Sequence, residues 1–282
     1  MPSTTAPRNL FWRIDMADNR PIGVFDSGIG GLTAVKELRA ILPNEDIIYL
    51  GDTARVPYGT RGEETIIRYA KEDIAFLQAQ NVKLIIAACG TVSSVAGSVI
   101  DACDTLATGV IIPAATAAMA ATEHGRIGII GTPATVKSKS YESYIASSGD
   151  YEVYAKACPM FVPLVENGYI GDDCEPTRII AGEYLQPLKE AGVDTLILGC
   201  THYPLIASII GEIMGEGCRL ISSGGEAGKY AKSILEEKAL LSDSETEGRL
   251  TLCCTDSKEL FMDNARHFLN GLAGVEVKTV KL

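Results

Sequence analysis

The chain has 282 residues, 46% of them hydrophobic, enough to bury one large α/β core or two smaller ones. A formal net charge of −11 and a pI near 4.8 give no long-range attraction to nucleic acid or anionic lipid, which excludes binding to either as a first role. An acidic substrate would have to be held by local N–H groups and hydroxyls, since the protein offers no positive field.

In chain order, residues 1–20 mix Arg8, Arg13, Asp15, Asp18 and Arg20 with apolar residues and lack an apolar export segment, so they read as an N-terminal extension. Short apolar runs then recur between helix-compatible stretches. Strands are predicted at Ile22–Phe25, Asp46–Gly51, Lys83–Ala88, Gly109–Ile112, Arg126–Gly131, Glu152–Ala157, Val193–Gly199, Arg219–Ser222, Leu250–Cys253 and Val275–Val280. Most lack period-two alternation, as strands buried on both faces do. Helices are predicted at Leu32–Leu42, Glu63–Gln80 and Pro176–Ala191, each closed by a proline, an asparagine or a glycine.

This alternation is that of two similar, Rossmann-like α/β units with parallel-rich sheets and a cleft between them. The small-residue stretch Pro113–Thr122 and the Gly224–Gly225 pair read as the joints. The expected division is 21–112 with 221–282 as the first domain and 113–220 as an inserted second. No run reaches the roughly 18 uncharged apolar residues that a membrane span needs, so the expected address is the cytoplasm.

Two segments stand out. Leu84-Ile85-Ile86-Ala87-Ala88-Cys89-Gly90-Thr91 and Thr195-Leu196-Ile197-Leu198-Gly199-Cys200-Thr201-His202 each run from an apolar strand through a small residue to a cysteine, with a threonine within two positions. The carboxyl ends of parallel strands are where ligands bind, so both thiols are expected in crevices. Cys103, Cys158, Cys174, Cys218, Cys253 and Cys254 read instead as reduced, small apolar residues. Two facing thiols suit one reaction: a carbon acid loses its proton to a thiolate on one side and regains one from a thiol on the other, with inversion and no cofactor or metal. A free thiol titrates near ~8.5, so a thiolate base needs a neighbouring cation or donors. His202 is placed by sequence to help Cys200, whereas His124 and His267, with no motif around them, read as core histidines.

After the first strand comes Phe25-Asp26-Ser27-Gly28-Ile29-Gly30-Gly31-Leu32-Thr33, a glycine-rich turn feeding a helix and suited to cradling an anion on backbone N–H groups. It has neither the lysine of a phosphate loop nor the spacing of a dinucleotide fingerprint. Asp26 binds a substrate ammonium, polarises a thiol, or merely caps the helix. The polar stretch 51–60 reads as a wall of the pocket, with Asp52 and Arg55 as either site residues or a pair within the loop.

From residue 20 onward the chain resembles the glutamate racemases of the aspartate/glutamate racemase superfamily. The resemblance rests on IGVFDSGIGGLT at 22–33, YLGDTARVPYG at 49–59, RIGIIGTPAT at 126–135, CPMFVPLVE at 158–166 and GVDTLILGCTHYPL at 192–205. It implies cofactor-independent interconversion of L- and D-glutamate, supplying D-glutamate for peptidoglycan, with Cys89 and Cys200 as acid and base. It also implies Asp26, Glu166 and His202 as supporting groups, Ser27, Tyr58, Gly59, Thr91 and Thr201 as positions that hold substrate, and a homodimer. Two departures stand against it. Gly90 replaces the family's asparagine in the substrate pocket, removing an amide at a turn that either residue would tolerate at positive φ. At 109–114, Gly-Val-Ile-Ile-Pro-Ala lacks the glutamate and glycine that flank the family's proline. The Gly90 change keeps open a racemase for another carbon acid, such as aspartate or a hydantoin, and a binding protein with weakened catalysis.

Overall fold

The structure, a computed structural model, describes residues 17–269 and 275–282, so most of the predicted N-terminal extension, residues 1–16, lies outside it. Ten strands run β1 Ile22–Asp26, β2 Ile47–Gly51, β3 Leu84–Ala87, β4 Leu106–Gly109, β5 Arg126–Gly131, β6 Glu152–Ala157, β7 Thr195–Leu198, β8 Arg219–Ser222, β9 Leu250–Cys254 and β10 Glu276–Thr279. The α-helices between them are α1 Leu32–Ile41, α2 Glu63–Ala79, α3 Gly90–Val95, α4 Gly97–Asp101, α5 Ile111–Ala121 and α6 Pro133–Ser138. They continue with α7 Ser140–Ser148, α8 Phe161–Glu166, α9 Glu175–Glu190, α10 Ala207–Met214, α11 Ser223–Glu237 and α12 Lys258–Phe268. The strands form two sheets, β10-β9-β2-β1-β3-β4 and β6-β5-β7-β8, and every pairing is parallel.

Each sheet reverses its winding once. In the first, the chain goes from β1 outward to β2 and then returns to place β3 on β1's other side; in the second, β5, β6 and β7 repeat that path. A crevice opens at such a reversal, beyond the carboxyl ends of the strands, because the flanking loops leave in opposite directions. Cys89 follows β3 and Cys200 follows β7, so the two cysteine segments occupy equivalent places in the two windings.

Burial follows the strand pattern. Phe25, Leu50, Ile85 and Ala87 face α2 and α3 across one side of the first sheet. Ile22, Val24, Tyr49 and Ile86 belong instead to a core that continues through α5 and α11 to Ile127, Ile129, Leu196 and Ile197 of the second sheet. The two halves therefore share apolar packing as well as a cleft.

Three expectations are corrected. The strand predicted at Gly109–Ile112 lies earlier, at Leu106–Gly109, because Ile111 and Ile112 open the alanine-rich helix α5. Pro113 is tolerated there because the first-turn N–H groups of a helix have no intrahelical acceptor. The stretch Pro113–Thr122 is thus a helix that carries the chain from one sheet to the other. Gly224 and Gly225 lie in the first turn of α11, where the chain returns toward the first sheet, and a Cβ on Gly224 would stand 2.8 Å from that of Ala34 in α1. The changeovers between sheets fall within α5 and at the start of α11, so the boundary drawn before 221 cuts β8, whose Ile221 and Ser222 pair with Ile197 and Leu198. Finally, His124 and His267 are exposed rather than in the core.

Candidate active site

The strand ends of both sheets converge on one cavity of about 270 Å³, small beside the ~300–1,000 Å³ of pockets that take drug-sized ligands. Asp26, Ser27 and Gly28 come from the end of β1, Val56 to Thr60 from the loop after β2, and Cys89, Gly90 and Thr91 from the end of β3. The second sheet supplies Thr132 after β5, Cys158 after β6, Glu166 from α8, and Cys200, Thr201 and His202 after β7. Every residue that the resemblance implies for the site, together with Gly90, therefore lines one wall or the other. Among the described residues no lysine or arginine lines the cavity, and no cluster of three or more His, Cys, Asp or Glu could hold a metal ion.

Cys200 and His202 form one half of the chemistry. The thiol lies 3.8 Å from His202 Nδ1, and His202 Nε2 lies 3.0 Å from Glu166 Oε1. Burial works against a charged imidazole, but hydrogen bonds to Cys200 and Glu166 outweigh it and push His202 up to about 10. The ring is thus held in its charged form at neutral pH, with Nδ1 facing the Cys200 sulfur.

Cys89 is the opposite case. It caps the N-terminus of α3, is 5% exposed, and donates to Ser27 Oγ at 3.6 Å. Burial and then the negative charge of Asp26 push its thiol up to about 12, against N–H groups of Val92 and Ser27 and the Ser27 hydroxyl, which favour the thiolate. At neutral pH Cys89 holds its proton.

Asp26 sits between the two halves. It is 1% exposed, and burial raises it above the carboxylate range while the nearby His202 charge and the N–H groups of Gly28 and Gly31 pull it back. Thr201 Oγ1 donates to its Oδ2 at 3.3 Å and Gly28 N–H to its Oδ1 at 2.9 Å. This changes the reading of the glycine-rich turn: two of its N–H groups already serve Asp26 and are not free for a substrate anion. Gly30 has a different use, because a Cβ there would collide with Thr201 Oγ1 and the His202 ring. Its bareness lets the two walls meet, as does the 2.8 Å bond from Thr33 Oγ1 to the Thr201 carbonyl.

Other expected residues are placed more specifically than their motifs allow. Tyr58 is buried and its hydroxyl donates to Asp52 and, at 3.1 Å, to Asp73, so it offers the cavity its ring and backbone only. Asp52 and Arg55 are a pair within the loop, extended by Glu72 and Asp73, and they brace the wall from behind. Gly59 abuts Thr132, whose methyl-bearing Cβ would be 3.2 Å from a Cβ at 59. Thr91 Oγ1 and Thr132 Oγ1 share a 3.0 Å hydrogen bond across the cleft.

Sequence reading missed Thr132 and Cys158 as wall residues. Thr132 accepts from the Thr135 N–H as the cap of α6, with Pro133 behind it, and this Thr-Pro after an apolar strand was the available signal. Cys158, read as core, is fully buried against protein yet borders the cavity near Cys200. All eight cysteines are free thiols.

Two crevices of the same winding, each ending in a cysteine and closed on one small cavity, define an α/β racemase. Residues 32–228 match the Asp/Glu/Hydantoin racemase family, and the chain belongs to that family. It is 44% identical over 259 residues to the glutamate racemase of Geobacter metallireducens, covering 90% of this chain and 94% of that one. Among solved structures, glutamate racemase isoform RacE1 from Bacillus anthracis superposes with a TM-score of 0.89 at 35% identity, covering 94% of this chain and 98% of that one. The Francisella tularensis glutamate racemase, solved in complex with D-glutamate, gives 0.85 at 38% identity with the same coverage.

Proposed function

We propose that the chain racemises glutamate without a cofactor, using Cys200 and Cys89 on opposite sides of the α-carbon. The observation that carries this reading is geometric: two thiols at the ends of β3 and β7 border one cavity, Cys200 with His202 Nδ1 at 3.8 Å and Cys89, pushed up to about 12, with Ser27 Oγ at 3.6 Å. In one direction the Cys200 thiolate takes the α-proton and Cys89 delivers its own to the opposite face. The resulting Cys89 thiolate is met by the Ser27 hydroxyl and by the N–H groups of Ser27 and Val92. In the other direction Cys89 is the base, and Asp26 beside it makes that thiolate strongly basic. Glu166 acts through His202 and is a positioning residue.

The substrate carboxylates rest on Thr91, Thr132, Thr201, Ser27 and loop N–H groups, in keeping with an acidic protein in which, among the described residues, no lysine or arginine lines the cavity. The two units that flank the substrate are those built on the two sheets. D-glutamate made in the cytoplasm would supply peptidoglycan, with the enzyme as a homodimer. No helix of the described residues is long and apolar enough to cross a membrane.

The test is circular dichroism of enantiopure L-glutamate with purified protein and no added pyridoxal phosphate. The signal should decay to zero, and Cys89→Ala and Cys200→Ala should each abolish the decay. Turnover by either variant would refute the two-thiol assignment. Preference for aspartate or a hydantoin in a parallel substrate panel would refute glutamate.

A further inference from the structure

Gly90 is the one cavity residue at which this chain departs from the asparagine that the resemblance implies, and its surroundings explain why a side chain is absent. Its φ is not positive, so backbone freedom is not the reason. A Cβ on Gly90 would run into the carbonyl oxygen of Gly199 and stand 3.1 Å from its carbon and 3.8 Å from Cys200 Cα. Glycine here permits a close approach of two backbones. The two chain segments that touch are the ones that carry the two thiols.

Neither segment can retreat alone. Gly199 N–H donates to Ile130 O at 2.8 Å, and a Cβ on Gly199 would itself lie 2.8 Å from that oxygen, so the neighbouring strand backs the peptide. On the other side, Ser93 Oγ ties α3 to Ala87 O at 2.9 Å and accepts from Val110 N–H at 3.1 Å. The halves share an apolar core at α5 and α11, but at the cleft itself they are joined by hydrogen bonds, Thr91 to Thr132, Thr201 to Asp26, Thr33 to the Thr201 carbonyl and Ser140 Oγ to Ser94 O, so a small opening there is the softer coordinate.

We propose that the backbone contact of Gly90 with Gly199 is the stop that sets how far the cleft closes, and with it the separation of Cys89 and Cys200. Gly90 is a positioning residue, and its effect on turnover rests on the two-thiol reading above. A Cβ essentially never stands closer than 3.0 Å to a backbone atom, and one at 90 would fall short of that limit by about 1 Å, so a side chain there pushes the walls apart by at least that much. A misplacement of that size at reacting atoms costs up to about 10²-fold in rate.

The experiment compares wild type, Gly90→Ala, Gly90→Asn and Gly97→Ala in racemisation kinetics and thermal unfolding, with crystal structures of wild type and Gly90→Ala. Gly97 is the control because a Cβ there meets nothing within 4 Å. Both Gly90 variants should lose about 10- to 100-fold in kcat with KM changed less than about threefold. Gly97→Ala should match wild type. The Cys89–Cys200 sulfur separation should grow by about 1 Å in Gly90→Ala, which should still fold cooperatively. Wild-type kcat in Gly90→Ala, or a lowered kcat with unchanged sulfur separation, overturns the proposal. So does failure of Gly90→Ala to fold, since the strain is to be relieved by opening the cleft. If wild type does not racemise glutamate, the functional reading fails, while the sulfur separation still decides the role of Gly90.

Discussion

Replacing Glu166 by glutamine tests the electrostatics at Cys200 without removing a hydrogen-bond acceptor. The carboxylate lies 3.0 Å from His202 Nε2, but its side chain is 41% exposed, so its charge is substantially screened. At that distance the pair is worth about 1–2 kcal/mol near the water limit, or about one pKa unit at ~1.36 kcal/mol per unit. Removing a negative neighbour disfavours the imidazolium, so His202 should fall from about 10 by about one unit. The assay is kcat/KM against pH, whose basic limb reports free-enzyme groups and should move acidward by that amount. Near pH 7 the ring stays charged in both proteins, so the rate there should change little. A basic limb that stays fixed, or moves to higher pH, would show that Glu166 does not hold the His202 proton.

Asp26→Asn removes the charge that opposes a Cys89 thiolate, so alkylation of Cys89 by iodoacetamide should begin at lower pH than in wild type; an unchanged or higher onset contradicts the pairing. Asp73, pushed up to about 8 by burial and by Asp52, keeps a proton in the fold that the unfolded chain releases near pH 4. Stability from this group therefore falls as pH rises from about 4 to 8, and urea unfolding at pH 5 and 8.5 should show a smaller loss for Asp73→Asn than for wild type. Parallel losses would refute the assignment. Thr91→Val removes the bond to Thr132 across the cleft, worth about 0.5–1.5 kcal/mol, and should lower kcat/KM about 2- to 12-fold. A wild-type value would mean that the seam bond does not matter.

Much of this architecture was legible because a buried parallel strand has to be an unbroken apolar run. β1, β3 and β7 read directly, and with them the positions of Cys89 and Cys200. The failure at β4 has the same root: Val110-Ile111-Ile112 is as apolar as a strand, and only packing decides that Ile111 begins a helix. The glycine-rich turn was misread in part because Asp26 two residues before Gly28 is also an Asx turn, which consumes an N–H that a ligand would otherwise take.

The site was legible where motifs are local, as with Cys200 and His202 two residues apart. Thr132 and Cys158 needed the order of the second sheet, which brings the ends of β5 and β6 to the cavity. Gly90 needed more. Its neighbour Gly199 is 109 positions away, and the Cβ-to-carbonyl collision exists only once both windings are packed.

Because enantiomers are equal in energy in water, kcat/KM must be the same in both directions, and any inequality of Cys89 and Cys200 appears only in kcat and KM separately. The isotope at the α-carbon tests the central claim more directly. Enantiopure L-glutamate incubated with the protein in deuterium oxide and followed by NMR should yield D-glutamate deuterated at the α-carbon, while unreacted L-glutamate keeps its proton early in the reaction, since one thiol removes and the other delivers. D-glutamate that carries the original proton would mean a single base on one face, and the account of Cys89 and Cys200 would be wrong.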